Sequence, residues 1–297
     1  MAASVSYELT RCAVCGESDT IEVAGPDDIR AEAELLWQFH MRRLSPHTPS
    51  ERLVDRVAFS QARPWRVVRC RTCGLVYRNP VETREELRET YVGADASRDA
   101  LLALYEAQRR SYRTQTRRLA RYLTRRGSGL EVGSYVGAFL SAARDSHWQF
   151  EGLDVNPNVN AFARSLGFAV HNGDLESFSA DSSRTFDAVA IWNTFDQLPD
   201  PRAALRAADR LIRPGGVLAL RVPNGECYGV WRTRLSSPSV SVRGVATAVL
   251  AHNNLLTFPY RFGFSPASLT RLLTETGFRV ERIVADVNVP TADEWTK

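Results

Sequence analysis

Four cysteines and a run of acids define the chemistry this sequence can do. Cys12-Ala13-Val14-Cys15-Gly16 and Cys70-Arg71-Thr72-Cys73-Gly74 repeat one C-x-x-C-G spacing and hold four of the 5 cysteines. Two such turns aim four thiolates at one tetrahedral ion, each glycine easing its turn. In a reducing compartment the pattern reads as structural zinc (Zn2+) on Cys12, Cys15, Cys70 and Cys73 rather than as disulfides. Further on, Leu130-Glu131-Val132-Gly133-Ser134-Tyr135-Val136-Gly137-Ala138 runs from a short apolar strand through two glycines into an apolar helix. Glycines allow positive φ and close approach to a ligand. The next helix offers unpaired N–H groups and the positive end of its dipole, so the turn is a ligand cradle. Carboxylates end the next two strand-like runs, at Asp154 and Asp174. Asp154 stands where a second-strand acid accepts hydrogen bonds from both hydroxyls of a ribose.

Strand and helix patterns alternate around these residues, predicting an α/β, doubly wound, nucleoside-binding sheet. A fourth strand is expected over 186–193 and a fifth over 216–222; Ser265-Pro266 then starts a helix running to Gly277, and a strand follows over 278–287. One long amphipathic helix over 99–126 precedes the first strand. Its Arg113, Arg117, Arg121 and Arg125 make a basic stripe, read as a solvated face with a substrate phosphate contact as the alternative. Between the knuckles, Pro26-Asp27-Asp28 starts a helix with Ile29, Ala33, Leu36, Trp37 and Met41 on one face, and a shorter helix follows Ser50. The domain boundaries predicted are 1–80, zinc-ribbon-like with a helical insertion at about 26–60; 81–126, a helical linker or lid; and 127–297, the sheet domain. Periodicity lapses over 228–264, read as a substrate-side insertion that follows a strand's C-terminal end.

At these residues the sequence resembles the class I S-adenosylmethionine-dependent methyltransferases. Their E-x-G-x-G-x-G motif is matched by Glu131, Gly133 and Gly137, with Tyr135 where the middle glycine usually stands. The likeness continues through Asp196-Gln197-Leu198-Pro199-Asp200-Pro201 and Leu211-Ile212-Arg213-Pro214-Gly215-Gly216, and a histidine often found just before the Leu-Pro-Asp-Pro string is absent here. The knuckles with Cys73-Gly74-Leu75-Val76-Tyr77-Arg78-Asn79-Pro80 resemble the zinc-ribbon front end of bacterial enzymes of this class that act on sugar nucleotides and secondary metabolites. The resemblance implies a Rossmann-like methyltransferase sheet behind a small zinc-binding domain. It implies S-adenosylmethionine held by Glu131, Gly133, Ser134, Tyr135, Gly137, Asp154, Val155, Asn156, Asp174, Leu175 and Asn193. Glu131 and its loop would take the methionine end, Asp154 the ribose and Asp174 the adenine amine. It also implies a closing strand hairpin, of which only 278–287 has the apolar pattern, so either a final strand is missing or the sheet closes differently.

Methyl transfer from a sulfonium is an in-line displacement, and a base is needed only where the nucleophile must lose a proton. Asp196, His252 and Tyr260 are the candidates in the loops where such a base would sit. The chain has 297 residues, 44% hydrophobic and 24% charged, with formal net charge +4 and Lys297 as its one lysine. Enough core for about two domains follows, and no leader or membrane-spanning run is seen, so a cytoplasmic, membrane-free protein is expected. The acceptor expected is a small molecule, a sugar nucleotide or natural-product scaffold, methylated on carbon or on oxygen. An RNA methyltransferase is the rival reading, against which the lack of a lysine-rich, aromatic patch weighs. A non-catalytic donor-binding scaffold is the other, and Tyr135 is its support. Oligomeric state is not legible.

Overall fold

The structure, a computed structural model, describes residues 6–42, 66–92, 96–123, 127–253, 255–258 and 260–285. They fall into two units: Met1–Thr83 together with Val222–Lys297, and Arg84–Arg221. In the first unit the chain lays down β1 (Tyr7–Glu8), β2 (Thr20–Ala24), β3 (Val67–Cys70), β4 (Val76–Arg78) and β5 (Val81–Glu82). β3 lies between β2 and β4, all antiparallel, and β1 pairs with β5. The helix Pro26–Met41 carries Pro26 at its start and Asp27 and Asp28 in its first turn, where the helix dipole favours acids. Ile29, Ala33 and Leu36 are buried as the periodicity predicts, while Trp37 and Met41 are exposed. The shorter helix expected after Ser50 lies outside the described residues.

The second unit begins with helices Arg84–Val92, Arg98–Arg109 and Arg113–Leu119. The single helix expected over 99–126 is therefore broken. Ser111 turns its amide (2.9 Å) and its hydroxyl (2.7 Å) onto the Gln108 carbonyl, and Tyr112 packs edge-on against Phe139 at 5.8 Å. A half-buried aromatic at the break outweighs helical continuity; of the expected arginine stripe, Arg113 and Arg117 lie on the helix, Arg121 lies beyond its end, and Arg125 lies outside the described residues.

Beyond it come β6 (Ser128–Val132), β7 (Gln149–Asp154), β8 (Val170–Asn172), β9 (Phe186–Trp192) and β10 (Ile212–Arg221), in the order β10-β9-β6-β7-β8, all parallel. The chain starts at the centre, winds out to β8, then returns to the other side of β6, so the order reverses between β6 and β9. Such a switch point opens a crevice at the strands' C-terminal ends. β9 is buried throughout, as a central parallel strand is. On one face Phe139, Trp148, Phe150, Phe162, Ala188, Ala190 and Trp192 form the core. Asp187 locks three strands: it accepts the Ser128 amide (2.8 Å) and pairs with Arg213 (2.8 Å).

Residues 222–285 return to the first unit, where the sequence predicted a continuation of the sheet domain. Helices Gly225–Arg232 and Val240–His252 are followed by β11 (Phe262–Gly263), which pairs antiparallel with β4 through Phe262 and Tyr77. Buried Glu32 of the first helix accepts from Arg232 Nε (2.9 Å), the Thr257 amide (3.1 Å) and the Tyr228 hydroxyl (3.3 Å), which ties the two segments into one core. The helix Pro266–Glu275 forms where expected, with Ser265 and Ser268 in a reciprocal cap. The strand expected over 278–287 is not found among the described residues. A strand needs a partner ladder, and here Ile283 and Val284 face solvent at 59% and 46% exposure, leaving β10 as the sheet's last described strand. No helix among the described residues is long and apolar enough to cross a membrane.

Candidate functional site

The two knuckles converge. Cys12 and Cys73 Sγ lie 3.3 Å apart, Cys15 and Cys70 3.4 Å, and all four sulfurs fall within 4.8 Å of one another. A tetrahedral zinc with Zn–S bonds of about 2.3 Å sets sulfurs about 3.8 Å apart, so the donor set fits that ion. Each turn is local: the amide of Gly16 donates to Cys12 O (2.8 Å) and that of Gly74 to Cys70 O (3.0 Å), both glycines at positive φ. The contact with Cys73 and burial push the Cys12 thiol up, and burial pushes the Cys15 thiol up. A dication held by Cys12, Cys15, Cys70 and Cys73 would reverse that balance and favour thiolates.

In the second unit the loop after β6 is set by Gly133 (φ 72°), whose amide donates to Leu153 O at 2.8 Å. A Cβ there would come within 2.3 Å of Thr194 Oγ1. Tyr135 adopts φ 45°, the left-handed conformation a glycine would take, at a strain of roughly 1–2 kcal/mol. The loop thus keeps its turn despite the substitution. The Tyr135 amide donates to Asp154 Oδ2 (3.0 Å) and the Asn156 amide to Oδ1 (3.0 Å), so Asp154 also braces the loop. Burial pushes the Asp154 carboxyl up against its bonds from the Asn156, Tyr135 and Val155 amides, and with three amides on two oxygens a lone pair is left for a ligand hydroxyl.

Glu131 is 2% exposed, and its Oε2 has no hydrogen-bond partner; neither has buried Ser134 Oγ in the loop that follows. Burial and then the Asp154 charge raise the Glu131 carboxyl well above its ordinary range. Unsatisfied buried groups cost about 1–3 kcal/mol each, and a cationic ligand with hydrogen-bond donors would recover that.

Of the other predicted donor contacts, Val155 offers an amide to Asp154. Asn156 caps the helix Pro157–Ser165 and donates Nδ2 to Tyr91 O at 2.9 Å. Asp174, partly exposed, caps Leu175–Asp181 by accepting from the Ser177 amide (2.8 Å) and hydroxyl (3.1 Å); burial opposes its ionisation, but these bonds hold it below its usual value. Leu175 is buried. Asn193 takes φ 55° and donates its amide to Arg221 O at 2.8 Å. All of these follow the C-terminal ends of β7 to β9.

The three base candidates are not brought together on one element. Asp196 is fully buried in the turn Phe195–Gln197 of the sheet unit. His252 ends the helix Val240–His252 in the cysteine unit, its ring edge-on to Phe39 at 4.9 Å, and Tyr260 is half-buried in that same unit. One residue, Arg221, escaped the sequence reading. Burial raises the Tyr112 phenol, as does Glu131, while Arg221 opposes. Arg221 could have been found by counting alternate residues on β10: Val217 and Ala219 pack on the core face, and Arg221 is next.

Residues 105–283 match the family model described as a methyltransferase domain. A ubiquinone biosynthesis O-methyltransferase of Xanthomonas oryzae pv. oryzae is 30% identical over 101 residues, 32% of this chain and 42% of that protein. The enzyme of the same name from Xanthomonas axonopodis pv. citri is 28% identical over 160 residues, 52% of this chain and 63% of its own. The match thus spans less than two thirds of either relative's length. Among solved structures, an amino pentose methyltransferase from Micromonospora echinaspora involved in calicheamicin biosynthesis is 29% identical, covering 40% of this chain and 50% of that one with a TM-score of 0.33. The family match covers more than half of the chain, and with the parallel sheet and the glycine loop described above it shows that the protein belongs to the methyltransferase domain family, the S-adenosylmethionine-dependent class whose motifs its sequence resembles.

Proposed function

We propose that this protein transfers a methyl group from S-adenosylmethionine to a hydroxyl of a small molecule, a sugar nucleotide or natural-product scaffold, and that a structural zinc holds its cysteine unit. The observation that carries the donor reading is Glu131: a buried carboxylate with an oxygen lacking any partner, at the mouth of a loop whose backbone Asp154 braces. The donor, when bound, supplies a sulfonium-activated methyl group. The chain's part is then alignment: Glu131 and Ser134 satisfied by the methionine end, Asp154 by the ribose, and Asp174 with Leu175 beside the adenine. The loop's fixed dihedrals reduce the ordering cost at binding. The O-methyltransferase name of the curated relatives supports oxygen as the acceptor atom.

Calorimetry with S-adenosylmethionine and its demethylated product tests the donor. Asp154→Ala is expected to weaken binding by about 1–3 kcal/mol, the loss of hydrogen bonds to a charged acceptor. Unchanged affinity would sink the assignment.

A hydroxyl nucleophile must lose its proton during transfer, which asks for a base. Asp196→Asn, His252→Phe and Tyr260→Phe should be assayed side by side for turnover and donor affinity. One of them is expected to lose turnover by about 100-fold or more with donor affinity intact. Wild-type turnover in all three would remove these residues from the chemistry.

A further inference from the structure

The helix Arg84–Val92 opens the sheet unit, and none of its nine residues is buried. A helix with no apolar face in a core depends on the polar bonds it makes to its surroundings. Arg84 Nη2 pairs with Glu176 Oε1 at 3.9 Å, in the helix that follows β8. Tyr91 makes two further attachments. Its carbonyl accepts from Asn156 Nδ2 at 2.9 Å, after β7, and its hydroxyl donates to Gln197 Oε1 at 2.6 Å, after β9. In the sheet β6 lies between β7 and β9, so the two ends of this one residue are fixed on opposite sides of β6, two strand spacings or about 10 Å apart. The loop that leaves β6 through Gly133 runs between those anchors. Both anchors touch residues already placed around the methyl donor: the Asn156 amide donates to Asp154 Oδ1 at 3.0 Å, and Gln197 Nε2 donates to Asn193 O at 2.7 Å.

We propose that the helix Arg84–Val92 is a strap over the methyl-donor crevice, latched by the Tyr91 hydroxyl on Gln197, and that the methyl donor and its product exchange when the latch opens. The inference rests on the donor reading above and adds to it the step that admits the ligand. Segments with little buried surface open at a small fraction of the global stability, and lids are drawn from that end of the range. Gln197 stands directly before Leu198-Pro199-Asp200-Pro201, where the family resemblance would place a histidine. Here both ends of that side chain are engaged, its carbonyl by Tyr91 and its amide by Asn193.

Stopped-flow fluorescence with S-adenosylhomocysteine on the full chain tests the latch. Tyr91→Phe keeps the ring and removes the hydroxyl. Association and dissociation rates are both expected to rise about 3- to 10-fold, as loss of one hydrogen bond shifts an opening equilibrium, while Kd changes less than about twofold. Gln197→Ala should raise both rates likewise, and the double variant should go no further than either, because one bond is lost in all three. Unchanged rates in Tyr91→Phe would overturn the latch. So would faster dissociation at unchanged association, which marks a direct ligand contact instead. Hydrogen exchange on the ligand-free protein gives the independent readout: amides across residues 84–92 are expected to exchange faster in Tyr91→Phe, and unchanged exchange there overturns the latch. Wild-type protein that binds no S-adenosylhomocysteine overturns the methyl-donor reading itself.

Discussion

Replacing Cys70 and Cys73 together by serine is expected to empty the protein of zinc and to unfold much of its cysteine unit. One zinc per chain should be found in the native protein and none in the variant. Structural zinc contributes an apparent binding free energy of about 10–16 kcal/mol in small domains, more than a fold of this size has to spare. The loss should not stay at the knuckles. Cys70 ends β3, β3 pairs with β4, and β4 pairs with β11, so amide protection should fall at Phe262 and Gly263, far away in sequence. Hydrogen exchange reads that propagation directly. Four freely reactive cysteine thiols in untreated native protein, or protection at β11 untouched by the double substitution, would count against the site. Cys227 serves as an internal reference, being a half-buried thiol outside the cluster.

Glu131→Gln should produce opposite effects on the empty fold and on the loaded one. Burial and the nearby Asp154 raise the Glu131 carboxyl well above the ordinary glutamate range. The folded state therefore holds a proton that the unfolded state has released. Stability contributed at this position falls as pH rises from the ordinary glutamate value towards the raised one, the reverse of a salt-bridged acid. Glutamine has nothing to ionise, so the slope of unfolding free energy against pH should flatten in the variant, with no loss of stability at neutral pH. Donor affinity should meanwhile drop by about 10- to 100-fold, because the ammonium loses a charged acceptor worth roughly 1.5–3 kcal/mol. Chemical denaturation across a pH series and calorimetry with S-adenosylhomocysteine measure the two halves. A variant that binds the donor as the native protein does would remove Glu131 from the methionine end, whatever its stability.

How much of this was legible beforehand follows from how local each feature is. The knuckles are turns of a few residues, and their glycines at positions 16 and 74 announce the positive φ the structure adopts. The loop from Glu131 to Gly137 is equally local, a strand end, two glycines and a helix start, so its shape could be read from spacing. Asp154 could be placed because a parallel strand followed by a helix leaves its last residue at the crevice. Its second task, bracing the loop through the Tyr135 amide, depends on two strands lying side by side and had no trace in either stretch alone.

The same distinction explains what the sequence did not settle. Residues 222–285 join the cysteine unit because a two-residue strand pairs with β4 and Thr257 donates to Glu32, contacts between residues some 180 to 225 positions apart. Periodicity records which face of an element is apolar and is silent on which distant apolar face will cover it. The break at Ser111 and Tyr112 likewise has no strong helix breaker in the sequence; it follows from a phenol ring that packs against Phe139 across the sheet unit. Residue type and spacing marked the candidate metal and nucleoside sites. Only the tertiary structure, through strand order and long-range pairing, decided that Tyr91 bridges the loops after β7 and β9 and that the region after β10 belongs with the cysteines.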